Sequence, residues 1–224
     1  MNSFKFSFIV VLIIACIASA NAQNLEQQLK DAGMVDVSDM DSTIRVKLMY
    51  ARDDNFTGVK LYDGLIHAYL HPAAASALLK ASAELHKLHP GYYLLVKDAS
   101  RPMSVQRKMY QAVRGTPKAP YVSNPRNGGG LHNYGLAVDI TIVDKNGNEL
   151  PMGTNVDHLD PEANIDKEET LVKRGIISET ERQNRLLLRR VMRAGGFTPL
   201  KSEWWHFNLV NRATAKAKYK RLDF

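Results

Sequence analysis

Leu131-His132-Asn133-Tyr134-Gly135-Leu136-Ala137-Val138-Asp139-Ile140-Thr141-Ile142-Val143 is the stretch that decides the fold. From Leu136 onward it is apolar and β-branched, which reads as a buried strand over 136–143. Asp139 interrupts that run, on the face shared by Ala137 and Val143. A carboxylate there is costly unless it is paired or bound to a metal. His132 lies seven residues earlier, so on one straight strand it would point to the opposite face. Gly135 can bend the path and let His132 turn toward Asp139. On spacing alone, a metal-ligand pair and an ordinary His–Asp hydrogen bond stand equally open.

Working outward from this strand, helices and strands alternate without repeats. Asn24 to Ala32 reads as a short helix stopped by Gly33, and Thr43 to Tyr50 as a strand with Ile44, Val46 and Leu48 on one face. Pro72 opens a helix to about Leu88, ended by His89-Pro90-Gly91. Tyr92 to Val96 reads as a strand and Ser104 to Arg114 as a helix. Thr116 to Gly130 holds three Pro and three Gly and reads as a long loop, a candidate functional element. Lys145-Asn146-Gly147-Asn148 is a hairpin-type turn. Ser178-Glu179-Thr180-Glu181 is a capping box opening a helix to Ala194. Glu203 to Val210 is a last apolar segment. The order predicts an α+β fold: a single compact domain, with an antiparallel sheet and flanking helices around a cleft.

The 224 residues are 45% hydrophobic and 24% charged, which excludes wholesale disorder and fibrous repeats. Cys16 is the single cysteine, so an intrachain disulfide and a Cys-based zinc cluster are excluded. Any metal must be held by His, Asp or Glu. Residues 1–22 carry Lys5, a nearly continuous apolar run from Phe6 to Ile17, and then Ala20-Asn21-Ala22. That is the layout of a signal peptide, with an apolar run shorter than the ~20 residues of a membrane span. The expected domain is therefore 23–224, exported to the periplasm or secreted. A lipobox-like Ile13-Ile14-Ala15-Cys16 offers lipidation at Cys16 as the lesser alternative. The net charge of +7 becomes +6 once Lys5 is removed with the leader. In an exported protein that charge points to anionic envelope material rather than nucleic acid. The basic run Lys216, Lys218, Lys220, Arg221 reads as a solvated tail.

Two further clusters carry chemistry. Glu203-Trp204-Trp205-His206 combines a carboxylate, two indoles and an imidazole, although Glu203 and His206 fall on opposite faces of a regular strand. A turn or bulge is needed to bring both to one centre. Asp98-Ala99-Ser100-Arg101-Pro102 places an Arg at a strand end, facing a cleft or capping the next segment. Two His and one Asp form a three-ligand zinc site with an open fourth position for a water, whose pKa falls to roughly 7 on the metal. In such a site Glu203 serves as general base and then acid, and Arg101 stabilises the oxyanion.

The combined pattern resembles the VanX-type D-alanyl-D-alanine dipeptidases, zinc peptidases related to D-Ala-D-Ala carboxypeptidases and phage endolysin peptidases. The resemblance runs from about Tyr50 to Leu209. It implies His132, Asp139 and His206 as ligands of one zinc per chain, Glu203 as the base and Arg101 as the transition-state arginine. Asp54-Asn55-Phe56-Thr57-Gly58 and Pro151-Met152-Gly153-Thr154 match as well. The resemblance places Tyr50 and Asp157 near the substrate, the acid facing its free amine. The implied substrate is a small D-amino-acid dipeptide, or a peptidoglycan-derived peptide if the chain is a carboxypeptidase or endopeptidase. A non-catalytic wall-binding module is the third reading, and the full set of five site residues counts against it. One departure stands out. The family usually has a substrate-binding Ser two positions before the first ligand, and here that position is Gly130. The missing hydroxyl predicts a looser loop and weaker selectivity for dipeptides. The pairs His67/His71 and His86/His89 lack a third ligand and read as structural or surface residues, and His158 beside Asp157 is left open.

Overall fold

The computed structural model describes residues 25–224. The expected leader, with Cys16, lies outside these residues. In chain order the elements are α1 (25–31), β1 (Val35–Asp36), α2 (Val37–Met40), β2 (Arg45–Val46), β3 (Tyr69–Leu70), α3 (Pro72–Leu88), β4 (Tyr93–Asp98), α4 (Met103–Val113), β5 (Ala137–Val143), α5 (Glu168–Lys173), α6 (Glu179–Ala194), β6 (Thr198–Leu200), β7 (Glu203–Asn208) and α7 (Arg212–Lys218).

β5 is buried along its whole length because it is central to a five-stranded sheet ordered β2-β4-β5-β7-β6. β4, β5, β7 and β6 pair antiparallel, and β2 joins parallel to β4. Parallel pairing at one edge departs from the purely antiparallel sheet expected from sequence. A separate pair, β1 with β3, is antiparallel.

α3 keeps the boundaries that Pro72 and His89-Pro90 impose, with Ala74, Leu78, Ala81 and Leu85 buried along one face. It packs against α6 and β4. α6 begins at the expected capping box, where Ser178 accepts from Glu181 N–H while the Glu181 carboxylate accepts from Ser178 N–H. Its Leu188, Val191 and Met192 join Leu94, Val96, Ile140, Ile142 and Phe207 in one core.

The strand expected over 43–50 shrinks to β2, although Ile44 and Leu48 are buried and Arg45 and Lys47 exposed, as the alternation requires. After Lys47 N–H bonds to Val96 O the chain leaves the sheet edge, and Met49–Ala51 wind into a 3-10 turn that buries Tyr50. The C-terminal run is not a loose tail. Leu222 is buried, its N–H donates to Asn133 O at 2.8 Å, and its carbonyl accepts from Met103 N–H at 2.8 Å. The backbone after α7 is therefore docked beneath residues 131–134, while Lys216, Lys218 and Lys220 remain exposed. Among the described residues no helix is long and apolar enough to cross a membrane.

Candidate metal centre and substrate cleft

Asp139 and His206 are direct partners in the β5–β7 ladder, so their side chains leave the sheet on one face as neighbours. His206 Nδ1 lies 2.9 Å from Asp139 Oδ1, and its Nε2 lies 2.9 Å from Asn208 Oδ1. His132 reaches the same spot from a 3-10 turn, Leu131–Tyr134. Gly135 closes that turn at φ 66°, and a Cβ there would lie 2.8 Å from the backbone N of His71. Both the left-handed conformation and the close approach require glycine. This is the bend that brings His132 round to Asp139, with Nε2 3.4 Å from Asp139 Oδ2.

The two imidazoles are oriented from behind. His132 Nδ1 sits 2.7 Å from Ala99 O, which places a proton on Nδ1 and leaves Nε2 free to act as a ligand. Asn208 holds the far nitrogen of His206 in the same manner. His132 Nε2 and His206 Nδ1 are 3.3 Å apart. Ligands about 2.0–2.1 Å from a tetrahedral zinc are separated by about 3.3 Å, which the 3.3 Å between the two imidazole nitrogens matches, while the two oxygens of Asp139 lie 2.9 Å from His206 and 3.4 Å from His132. These three residues form a metal-capable group with all ligand atoms within 4.8 Å of one another.

The conflict between Glu203 and His206 is resolved at the sheet edge. Leu200 pairs with Glu203 and Pro199 with Phe207, so Trp204, Trp205 and His206 bulge out against adjacent β6 residues. Glu203 and His206 both line the cleft as a result, while Trp204 and Trp205 pack edge-to-face in the interior. Burial pushes the Glu203 carboxyl up to about 7; nearby His206 and Arg101 oppose the rise and Asp139 adds to it. Burial also works against a charged Asp139, but His132 and His206 outweigh it and hold that carboxyl well below the usual range.

Arg101 is buried and pairs with Asp98 through Nη2, while its Nη1 donates to Gln106 Oε1 at 3.2 Å. Its guanidinium lies 5.1 Å from the Tyr50 ring centre and 3.9 Å from Asp139 Oδ2. Burial opposes its charge, but Asp98 and its other neighbours raise its pKa well above the ordinary value, so the charge is permanent. Asp98 itself comes from the end of β4, where a register shift after Val96 sets it opposite Asp139. Tyr62 OH donates to its other oxygen at 2.7 Å.

Tyr50 OH donates to Asp157 Oδ2 at 2.7 Å. Asp157 is the one non-glycine with positive φ among the described residues, at 65°. Burial, and then the charge of Asp139, push its carboxyl well above the usual range, against the hydrogen bond from Tyr50.

All seven residues singled out in the sequence line one cleft of about 430 Å³. His158 does not line it, and lies instead 3.5 Å from Glu162 and 3.9 Å from Asp160. His67 pairs with Asp36 at 2.7 Å, His71 caps α3, and His86 and His89 pack on Tyr93 and Tyr92. Sequence reasoning left Asp98, Gln106 and Asn208 without roles. Asp98 carried a usable signal, an acid ending an apolar strand three residues before Arg101. Gln106 and Asn208 carried none.

A family model described as D-ala-D-ala dipeptidase matches residues 30–222. The D-alanyl-D-alanine dipeptidase of Escherichia coli (strain K12) is 34% identical over 181 residues, covering 81% of this chain and 86% of that protein. That of Enterococcus faecalis (strain ATCC 700802 / V583) is 30% identical over 194 residues, covering 80% and 92%. That of Streptomyces coelicolor is 31% identical over 193 residues, covering 77% and 89%.

Proposed function

The chain belongs to the D-Ala-D-Ala dipeptidase family, and on that premise we propose that it is a zinc peptidase hydrolysing the free dipeptide D-Ala-D-Ala in cell-wall peptide turnover. One observation carries the reading: a three-ligand metal group, a buried carboxyl with a pKa near neutrality and a second acid suited to an amine share one cleft.

His132, Asp139 and His206 would hold the zinc. When bound, the metal supplies a Lewis acid for the scissile carbonyl and acidifies a water. Glu203, raised to about 7, is poised to accept that water's proton as the oxygen adds to the carbonyl carbon. As the C–N bond breaks, Glu203 returns the proton to the leaving nitrogen, and two molecules of D-alanine result. Arg101 faces the negative charge that grows on the carbonyl oxygen. Its ties to Asp98 and Gln106 keep the guanidinium in place before substrate arrives, which is where electrostatic stabilisation gains its strength. Asp157 receives the substrate's ammonium. A carboxyl pushed up by burial and like charge is returned to its ionised form by a cation beside it.

Metal analysis tests the ligand set. Purified protein should carry one zinc, lose D-Ala-D-Ala hydrolysis on chelation and recover it on adding zinc back. His132→Ala should bind zinc at least ~10-fold more weakly. Unchanged zinc affinity in that variant would place the metal elsewhere.

A further inference from the structure

We infer that Ser123 is a substrate-binding residue whose hydroxyl, entering the cleft across the space left by Gly130, receives the carboxylate of the dipeptide. This rests on the dipeptidase reading and adds to it the group that recognises the substrate's acid end.

Four observations converge on Ser123. Its residue lines the same cleft as the metal group. Its Oγ has no hydrogen-bond partner among the described residues, and only its backbone carbonyl is engaged. It stands where it does because residue 130 has no side chain: a Cβ on Gly130 would lie 2.8 Å from Ser123 Oγ and 3.3 Å from Ser123 Cβ. Gly130 has φ −113° and ψ −171°, extended backbone open to any residue, so it is the neighbouring serine and not the backbone that excludes a side chain. The hydroxyl expected to be missing at 130 is thus supplied from the 116–130 loop.

The placement is rigid. Gln106 Nε2 donates to Ser123 O at 2.8 Å, and Gln106 is itself held by Arg101. Asn124 Nδ2 donates to Tyr110 OH at 3.2 Å, so α4 holds the loop at the serine's carbonyl and at the residue that follows it. A hydroxyl held this way loses little freedom when it binds.

The assignment to the carboxylate follows from charge. A free dipeptide brings one ammonium and one carboxylate. The cleft's acids are Asp139, Glu203 and Asp157, and the last suits the ammonium. Of its two guanidiniums, Arg101, tied to Asp98, is the one assigned above to the carbonyl oxygen. Arg212 has no carboxylate partner among the described residues, and its Nη2 donates to Asn127 O in the same loop as Ser123. A donor hydroxyl with an uncompensated guanidinium in the same wall suits a carboxylate.

The test compares D-Ala-D-Ala with D-Ala-D-Ala amide, which lacks the carboxylate. Ser123→Ala should raise KM for the free acid about 10-fold with kcat within about threefold, and change kcat/KM for the amide less than about twofold. The acid-over-amide preference should therefore collapse about 10-fold. An unchanged preference, with the unmutated protein active on D-Ala-D-Ala, overturns the role of Ser123 and leaves the dipeptidase reading standing. No hydrolysis of either compound by the zinc-loaded unmutated protein overturns the dipeptidase reading and this assignment with it.

Discussion

In the proposed mechanism Glu203 is the residue on which the chemistry turns. Its raised pKa comes first from burial, which its position at the start of a bulged strand enforces. Glu203→Gln keeps shape and volume but cannot take a proton. It should bind zinc normally, melt within a few degrees of the parent and lose ~100-fold or more in kcat. Near-normal turnover in a zinc-loaded Glu203→Gln sample would remove it from the role of base. His206 makes a second residue-level prediction. Burial opposes its charge, yet the hydrogen bond and charge of Asp139 outweigh burial and push the imidazole up to about 9. An unfolded His titrates near about 6.5. The stabilisation that His206 gives metal-free protein is thus complete below about pH 6.5 and lost as pH rises through about 9, amounting to about 3 kcal/mol. Zinc has to displace the same proton, so its affinity should rise across that window by up to about tenfold per pH unit. Chelated protein should show Tm falling from pH 6.5 to 9.5 while zinc titrations show Kd falling; a Kd independent of pH would mean that His206 carries no proton for zinc to displace.

Elements set the angles at which these residues meet, and here sequence was only partly informative. The α3 and α6 boundaries were legible because Pro72, Gly195 and the Ser178/Glu181 box act locally. The β2 edge was not, since alternation marks a buried face but carries no record of where sheet pairing stops. The need for a bulge near Glu203 could be deduced; its location, against Pro199 and Leu200, depends on a partner strand that local pattern does not name. A buried brace behind Asp157 was invisible for the same reason. Arg185 of α6 is fully buried and donates to Met152 O at 2.6 Å and Glu162 O at 3.0 Å, on either side of Asp157. Its guanidinium also lies 5.7 Å from the ring of Trp204, which donates to Thr154 Oγ1 at 2.8 Å. One side chain therefore ties α6 to the Asp157 segment and to β7. Arg185→Met leaves two carbonyls unpaired and should cost about 2–4 kcal/mol of stability. It should also lower kcat/KM on the free dipeptide more than on an N-blocked one, because Asp157 loses its fixed position. A fall in Tm with equal loss on both substrates would confine Arg185 to a structural role.

At the scale of the molecule, the fold gathers residues from Tyr50 to His206 into one cleft by running β4, β5 and β7 side by side and bending the chain at Gly135. The motif residues were recognisable individually because each cluster is unusual in composition. Their convergence on one site follows from the family resemblance alone; the geometry of that convergence, like the docking of Leu222 against the turn that carries His132, is not written in local pattern. The claim that binds these parts together is that the cleft closes on a free ammonium. Steady-state kinetics on D-Ala-D-Ala beside N-acetyl-D-Ala-D-Ala measure this directly. The blocked substrate leaves Asp157 without its cation, a penalty of about 3 kcal/mol or more, so kcat/KM should fall at least ~100-fold. Comparable values on the two substrates would contradict the dipeptidase account and indicate instead a carboxypeptidase acting on longer stem peptides.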